Sequence, residues 1–189
     1  MTLQIAQEPK ADQVLADSPF ALLVGMMLDQ QYPMEHAFRG PAKILDRFGS
    51  IEPTAIADAD PEQFAAMCAT PPAVHRYPGS MAGRIQQLAR IVVDEYDGHA
   101  DRLWTGADSG RELMRRLQAL PGFGKQKAQI FTALLGKQLD VRPEGWEQAA
   151  GDYAETGSHR SVADVVDQAS LEKVRAFKQE TKRAAKANA

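Results

Sequence analysis

The residues whose types and spacing best suit chemistry lie in the segment LQALPGFGKQKAQIFTALLG, residues 117–136. A proline ends the first helical pattern, and Gly122 and Gly124 permit a positive φ and leave the backbone uncovered. A second helix is expected to begin near Lys125, and the free N–H groups of its first turn favour an anion. Lys125 and Lys127 add positive charge beside that terminus. The segment therefore predicts a phosphate clamp that positions a duplex without reading its sequence.

The alternative interpretation of this segment is an ordinary αα-hairpin in which a glycine caps the first helix. A bare Gly-x-Gly favours that alternative. The full pattern Leu-Pro-Gly-Phe-Gly-Lys-x-Lys-Ala, residues 120–128, lies between two amphipathic helical patterns and favours a DNA contact instead. Within this DNA-binding segment, Phe123 is expected mainly to pack the hairpin.

The elements around this segment are predicted to be helical almost throughout, because apolar residues recur at helical spacing and no strand signal is convincing. Ser18 and Pro19 suit the start of a buried helix that runs to residue 31. The pair Gly40-Pro41 is expected to split the next helical segment into two shorter helices. Further helices are predicted over 61–67, 81–96, 109–120 and about 171–186, and the region 140–160 is the least regular.

The composition limits the partners and the compartment. A chain of 189 residues with a net charge of −3 has no global attraction for polyanions, so any nucleic-acid contact must be local. A single cysteine, Cys68, excludes an internal disulfide and a cluster ligated by several cysteines. The histidines show no metal-ligand spacing, so no metal or cofactor is expected in these side chains. No leader-like or transmembrane-length apolar run is present in the sequence, so a cytoplasmic location is expected.

Three segments in the same order resemble the helix-hairpin-helix superfamily of DNA glycosylases, which contains endonuclease III and the alkyl-adenine glycosylases. LPGFGKQKA resembles the hairpin pattern of that family. PFALLVGMMLDQQ, residues 19–31, resembles its early buried helix, which ends in a glutamine near the DNA. MAGRIQQLARIVVDEYDG, residues 81–98, resembles the helix that leads toward the hairpin. The resemblance implies an all-α, two-lobed helix-hairpin-helix DNA glycosylase fold without an iron–sulfur cluster.

The resemblance also implies how this domain is divided and what it does. One glycosylase-like domain is expected over residues 1–189. One lobe is expected to hold about 32–135, with the helix-hairpin-helix at 109–135, and the other to combine about 1–31 with 136–189. A monomer of this kind binds double-stranded DNA, flips out one damaged or deaminated nucleotide and hydrolyses its N-glycosidic bond in base excision repair. A monovalent cation at the hairpin is a further implication, and the sequence does not name the lesion.

Several site residues follow from position within the resemblance. Gln31 matches the residue that enters the gap left by the flipped base, and Gln30 and Tyr32 are expected to line the base pocket. Asp29 is expected to be a surface or capping group, because a carboxylate would repel phosphates. Trp146 is expected either to stack on the extruded base or to anchor the packing of the lobes.

The chain departs from the family pattern at two positions that bear on catalysis. Bifunctional members carry a lysine where this chain has Gln126, so a monofunctional enzyme is expected. The place of the catalytic aspartate of the family holds Arg142. A carboxylate stabilises the oxocarbenium-like sugar and orients water, so either Asp140 or Glu144 takes that role, or no carboxylate does. In the last case the chain is a non-catalytic module that binds DNA lesions or abasic sites.

Overall fold

The computed structural model describes residues 2–189, and this part of the chain forms eleven α-helices and two short 3-10 helices. Residues 2–189 contain no β-strand, and a single isolated bridge joins Ser109 to Glu144. The predicted all-α fold is therefore confirmed. In chain order the helices are α1 (Pro9–Asp17), α2 (Pro19–Leu28), α3 (Met34–Phe48), α4 (Pro53–Asp58), α5 (Pro61–Ala69), α6 (Pro78–Tyr96), α7 (Arg102–Thr105), α8 (Gly110–Gln118), α9 (Lys125–Gln138), α10 (Trp146–Ala150), the 3-10 helices η1 (Gly151–Ala154) and η2 (Val162–Asp164), and α11 (Gln168–Ala187).

Helix α2 lies at the centre of the core, because all of its residues after the first are buried. Its start agrees with the prediction, since the Ser18 side chain accepts a hydrogen bond from the Ala21 N–H at 3.0 Å. Its end does not, because the helix stops at Leu28 and a turn follows in which the Gln30 N–H donates to the Leu28 carbonyl at 2.8 Å. Among residues 2–189 no single helix could span a membrane by length and hydropathy, although the bent pair α1 and α2 passes the test jointly.

The predicted break at Gly40-Pro41 is wrong, because α3 runs without interruption through Pro41. Tertiary packing explains the difference. A Cβ at Gly40 would lie 2.6 Å from Leu28 Cδ1, so the glycine allows α3 to pack closely against α2. That buried contact compensates for the one backbone donor that the proline lacks. Helix α1, which periodicity did not predict, adds a third layer to the same cluster.

Packing between the helices divides them into two groups. Helices α1, α2 and α3 pack together, and α4 and α5 pack on α6, which also contacts α2. The hairpin helices α8 and α9 pack with α10, and α9 also contacts η1 and η2. The predicted lobe boundaries at residues 31 and 136 stay a prediction, but this packing groups the hairpin with the segment after it rather than with α3–α6. The end of α2 and the start of α9 border a shared cleft.

Candidate nucleic-acid interface and cleft

The hairpin turn between α8 and α9 is open to solvent on one side. Gly122 has a φ of 80°, and a Cβ there would lie 3.1 Å from Met27 Cγ. Gly124 is the N-cap of α9 in an extended conformation, with φ −81°, so only the first glycine uses the left-handed region. A Cβ on Gly124 would meet nothing within 4 Å, and no side chain caps the first turn of α9. The first turn of α9 therefore has no side-chain cap, and no atom lies near the Cβ position of Gly124.

The residues around this turn divide into a packed set and an exposed set. Phe123 is buried and meets Phe131 edge to face, with 6.2 Å between ring centroids, and so packs the hairpin. Lys125 is exposed at the first position of α9. Gln126, which stands at the position of the family lysine, donates from Nε2 to the Tyr153 hydroxyl at 2.9 Å. The turn thus presents one exposed ammonium group, that of Lys125, beside the Gln126 side chain, which is already hydrogen-bonded.

Lys127 is held inside the protein rather than in solvent. Its ammonium group donates to the Met27 carbonyl at 3.0 Å and so joins the start of α9 to the end of α2. Burial disfavours the charged form and lowers the pKa of Lys127 to about 8, although the nearby Asp29 carboxylate opposes this shift. Its positive charge is therefore sensitive to pH in a range where an ordinary lysine stays charged.

The turn that carries the predicted glutamines is fixed by a buried histidine. The Tyr77 N–H donates to His75 Nδ1 at 3.0 Å, so the other ring nitrogen carries the hydrogen and donates to the Gln30 carbonyl at 2.9 Å. Burial lowers the pKa of His75, which favours this neutral form. Tyr32 packs on the His75 ring at 4.8 Å, and Gln31 is exposed with a φ of 51°. These contacts fix the exposed Gln31 and the exposed Tyr77 relative to each other.

A cleft of about 900 Å³ lies at this end of α9, bordered by the end of α2, the start of α3 and one side of α11. It brings together six residues that the sequence singled out: Asp29, Gln30, Gln31, Tyr32, Gln126 and Lys127. Its wall is rich in positive charge although the whole chain carries −3. The basic side chains that line the cleft are Arg76, Lys127, Arg160, Arg175, Lys178 and Lys182, and the acidic ones are Asp29 and Glu35.

The carboxylates predicted to be catalytic, Asp140 and Glu144, lie beyond the opposite end of α9. That helix is about 20 Å long by its residue count. The Asp140 side chain is 83% exposed and pairs with Arg142 at 3.2 Å. Glu144 is exposed, and its carbonyl accepts a hydrogen bond from the Gly110 N–H at 2.7 Å. Neither residue lines the cleft, so their catalytic role stays a prediction that their position does not favour.

Trp146 lies at the same end of α9 as these carboxylates. A Cβ at Gly136 would lie 2.3 Å from the Trp146 ring, so the indole packs directly on the α9 backbone. The Arg142 guanidinium covers the ring at 5.9 Å from its centroid. Of the two alternatives for Trp146, this geometry fits the packing anchor, and the aromatic side chains that line the cleft are Tyr32, Tyr153 and Phe177.

Two carboxylates that the sequence did not predict as catalytic lie in the cleft. Asp29 is the C-cap of α2, with a side chain 10% exposed and Oδ2 3.8 Å from the Lys178 ammonium. Glu35 lies in the first turn of α3, with a side chain 5% exposed and in contact with the Arg175 guanidinium. The sequence gives no specific signal for Glu35, because a glutamate in the first turn of a helix is explained by the helix dipole alone.

Residues 2–189 contain no group of three or more His, Cys, Asp or Glu side chains arranged to hold a metal ion. The monovalent cation implied at the hairpin stays a prediction.

Cys68 is buried, and burial raises the pKa of its thiol to about 11, so it is a poor nucleophile.

Residues 24–189 match the model of the HhH-GPD superfamily of base excision DNA repair proteins, and this range includes the second half of the buried helix α2, the hairpin and every residue that lines the cleft. No curated protein and no solved structure matches the chain.

Proposed function

The chain belongs to the HhH-GPD superfamily of base excision DNA repair proteins, and on that premise we propose that it is a monofunctional DNA glycosylase. It acts as a monomer on double-stranded DNA that contains a damaged or deaminated base. The reaction is hydrolysis of the N-glycosidic bond of that base after the nucleotide has been flipped out of the helix.

One observation carries this proposal. Six basic side chains line a cleft at the open turn of the hairpin, in a chain whose net charge is negative. Local positive charge of this kind attracts a nucleic-acid backbone, whereas the remaining surface does not. The uncapped amides at the start of α9 lie at the border of the same cleft and supply donors for a phosphate.

Different residues around the cleft contact different parts of the DNA. The amides of Gly124 and Lys125 and the Lys125 ammonium group bind a phosphate of one strand. Gln31, exposed at a fixed turn, enters the stack where the flipped nucleotide was. Tyr32 and Gln30 form one wall of the cleft, and Tyr153 is a further aromatic group there on which an extruded base can stack.

Single-turnover base release tests the proposal. The full chain is incubated with 30-base-pair duplexes that contain uracil, an alkylated purine, an oxidised purine or a mismatch, and abasic sites are revealed by hot alkali. The expected result is release from at least one lesion and none from undamaged duplex. Tight binding to a lesion or an abasic site without release from any duplex would establish the alternative, a non-catalytic binding module.

Borohydride trapping tests the monofunctional part of the proposal. A bifunctional enzyme forms a Schiff base between a lysine and the sugar, and borohydride converts it to a stable cross-link. Because Gln126 occupies the position of the family lysine and Lys127 is hydrogen-bonded to Met27, no cross-link is expected. A cross-link that disappears in Lys127→Met would show lyase activity from an adjacent lysine and refute this part.

A further inference from the structure

Glu35 carries the one buried side-chain oxygen that lacks a hydrogen-bond partner among residues 2–189. Its Oε2 exposes less than 1 Å² to solvent, so bulk water does not satisfy it either. An unpaired buried acceptor destabilises the folded state, and it does so more strongly when it is charged. The side chain therefore destabilises the free protein at this position, which points to a partner that enters the cleft from outside the chain.

The two oxygens of Glu35 have different surroundings. Oε1 contacts the Arg175 guanidinium from α11 and lies 3.9 Å from His36 Nε2. Oε2 has no such neighbour. The guanidinium fixes the orientation of the carboxylate, and the second oxygen keeps its acceptor capacity for another donor.

Asp29, the other carboxylate of the cleft, differs because neither of its oxygens is both buried and without a partner among residues 2–189. Its Oδ2 lies 3.8 Å from the Lys178 ammonium. Its charge also acts on Lys127, whose pKa it raises against the effect of burial. The negative charge of Asp29 therefore interacts with two lysines of the cleft wall, whereas Glu35 interacts with one arginine, through Oε1.

We propose that Glu35 is the carboxylate that acts at the glycosidic bond, a role that rests on the proposed glycosylase function. Its Oε2 accepts a hydrogen bond from a water molecule beside C1′ of the flipped nucleotide. As the C1′–N bond breaks, its electron pair leaves with the base, and the positive charge on the sugar is stabilised by the carboxylate. The water oxygen bonds to C1′, and the proton that it loses passes through Glu35 and ends on the released base.

Arg175 gives substrate a route to this carboxylate. Its side chain is 44% exposed, and it belongs to a helix whose residues from 179 onward are all exposed. A phosphate near the cleft competes with Glu35 for the guanidinium, because both form charge-assisted hydrogen bonds with it. Loss of the guanidinium contact frees the Glu35 side chain to turn, so that the buried Oε2 reaches the occupant of the cleft.

Glu35→Gln is the main test, because it keeps the size of the side chain and removes the charge. Single-turnover base release from a lesion that the wild type cleaves is expected to fall by about 100-fold or more. Duplex affinity at fixed salt is expected to stay within about threefold, since one acidic charge is lost from a basic cleft. Glu35→Asp is expected to recover part of the rate, because it restores a carboxylate with a shorter reach.

The matched control is Glu112→Gln, which removes another glutamate paired with arginine, at 2.7 Å from Arg115 on α8 and outside the cleft. Its base release is expected to stay within about twofold of the wild type.

Two results would overturn the role of Glu35. The first is unchanged base release in Glu35→Gln. The second is a parallel fall of melting temperature, duplex affinity and base release, which would assign Glu35 a structural role only. If the wild type releases no base from any lesion, the glycosylase proposal itself fails and this role fails with it, a result distinct from the other two.

Discussion

The two ends of the α8–α9 hairpin use glycine for opposite purposes. At the closed end, defined by Gly110, Gly136 and the segment 140–146, a Cβ on Gly110 would lie 2.6 Å from the Gly145 carbonyl oxygen. At the open end, residues 122–127, a Cβ on Gly124 would meet no atom within 4 Å. The first glycine is required by a contact that the protein makes with itself. The second meets no such contact, and the backbone donors beside it have no side-chain cap.

The carboxylates near the two ends also differ, in that only those at the open end line the cleft. Asp140 and Glu144 follow the hairpin closely in the sequence, but α9 carries them to its closed end. Asp29 and Glu35 precede the hairpin by far, yet they line the cleft at its open end. Proximity along the chain therefore does not identify the carboxylate that can meet a substrate, and the following variants test the difference between the ends.

The largest expected effect is at the closed end. Gly110→Ala places a methyl group against the backbone of Gly145 and Trp146, which cannot move away as a side-chain tip can. We expect the free energy of unfolding to fall by about 1–3 kcal/mol in urea titrations. Duplex affinity of the folded variant at low temperature should match the wild type. A stability equal to that of the wild type would show that the loop after α9 is not held by this contact.

The next effect is at the open end. Gly124→Ala adds a methyl group in open space, so stability should change by less than about 1 kcal/mol. Duplex affinity should fall by about tenfold in fluorescence anisotropy, because the methyl group stands between a phosphate and the first amides of α9. Gly83→Ala, at an exposed position of α6 with equally open space, is the control and should keep full affinity. Equal affinities in both variants would show that the first amides of α9 do not contact the DNA.

A smaller effect concerns pH at the open end. The pKa of Lys127 is about 8 in the folded protein against 10.5 for an ordinary lysine, so between these values only the unfolded chain binds the proton. Stability should therefore rise between about pH 8 and pH 9, while duplex affinity falls severalfold as the cleft loses a positive charge. Above about pH 9 the buried Cys68 thiol, whose pKa is raised to about 11, opposes the rise, because only the unfolded chain then loses that proton. The rise below pH 9 and the fall in affinity should both be absent in Lys127→Met, measured by urea titration and anisotropy at constant ionic strength. A persistent fall in affinity in that variant would assign the titration to another group.

The smallest expected effect is at the carboxylates of the closed end. Asp140→Asn and Glu144→Gln should each change single-turnover base release by less than about twofold, because neither side chain lines the cleft. A loss of about 100-fold in either variant would show that a carboxylate predicted from the sequence is catalytic and that the reaction takes place at the closed end.

Local signals in the sequence predicted the structure well where the chain decides its own conformation. The cap at Ser18 and the glycine turn of the hairpin both form from neighbouring residues. The prediction failed at Gly40-Pro41, where packing against α2 outweighs the effect of the proline.

The candidate site was predicted only in part, because its wall is assembled from distant segments. Gln30, Gln31 and Tyr32 came from a single motif and do lie together in the cleft. The pairing of Glu35 with Arg175 on the last helix depends on tertiary structure, as does the bond from Lys127 to a carbonyl 100 positions earlier in the chain. No periodicity or spacing in the sequence encodes such contacts.

The attachment of α11 has a consequence for how ionic strength acts on this protein. The helix reaches across the cleft through two charge pairs, Arg175 with Glu35 and Lys178 with Asp29, and its last residues contact solvent. Added salt weakens the attraction for DNA by counterion release, and it also weakens the partly exposed pairs that hold this wall in place. A plot of log affinity against log salt concentration should therefore be curved rather than linear, because the width of the binding cleft itself changes as salt is added.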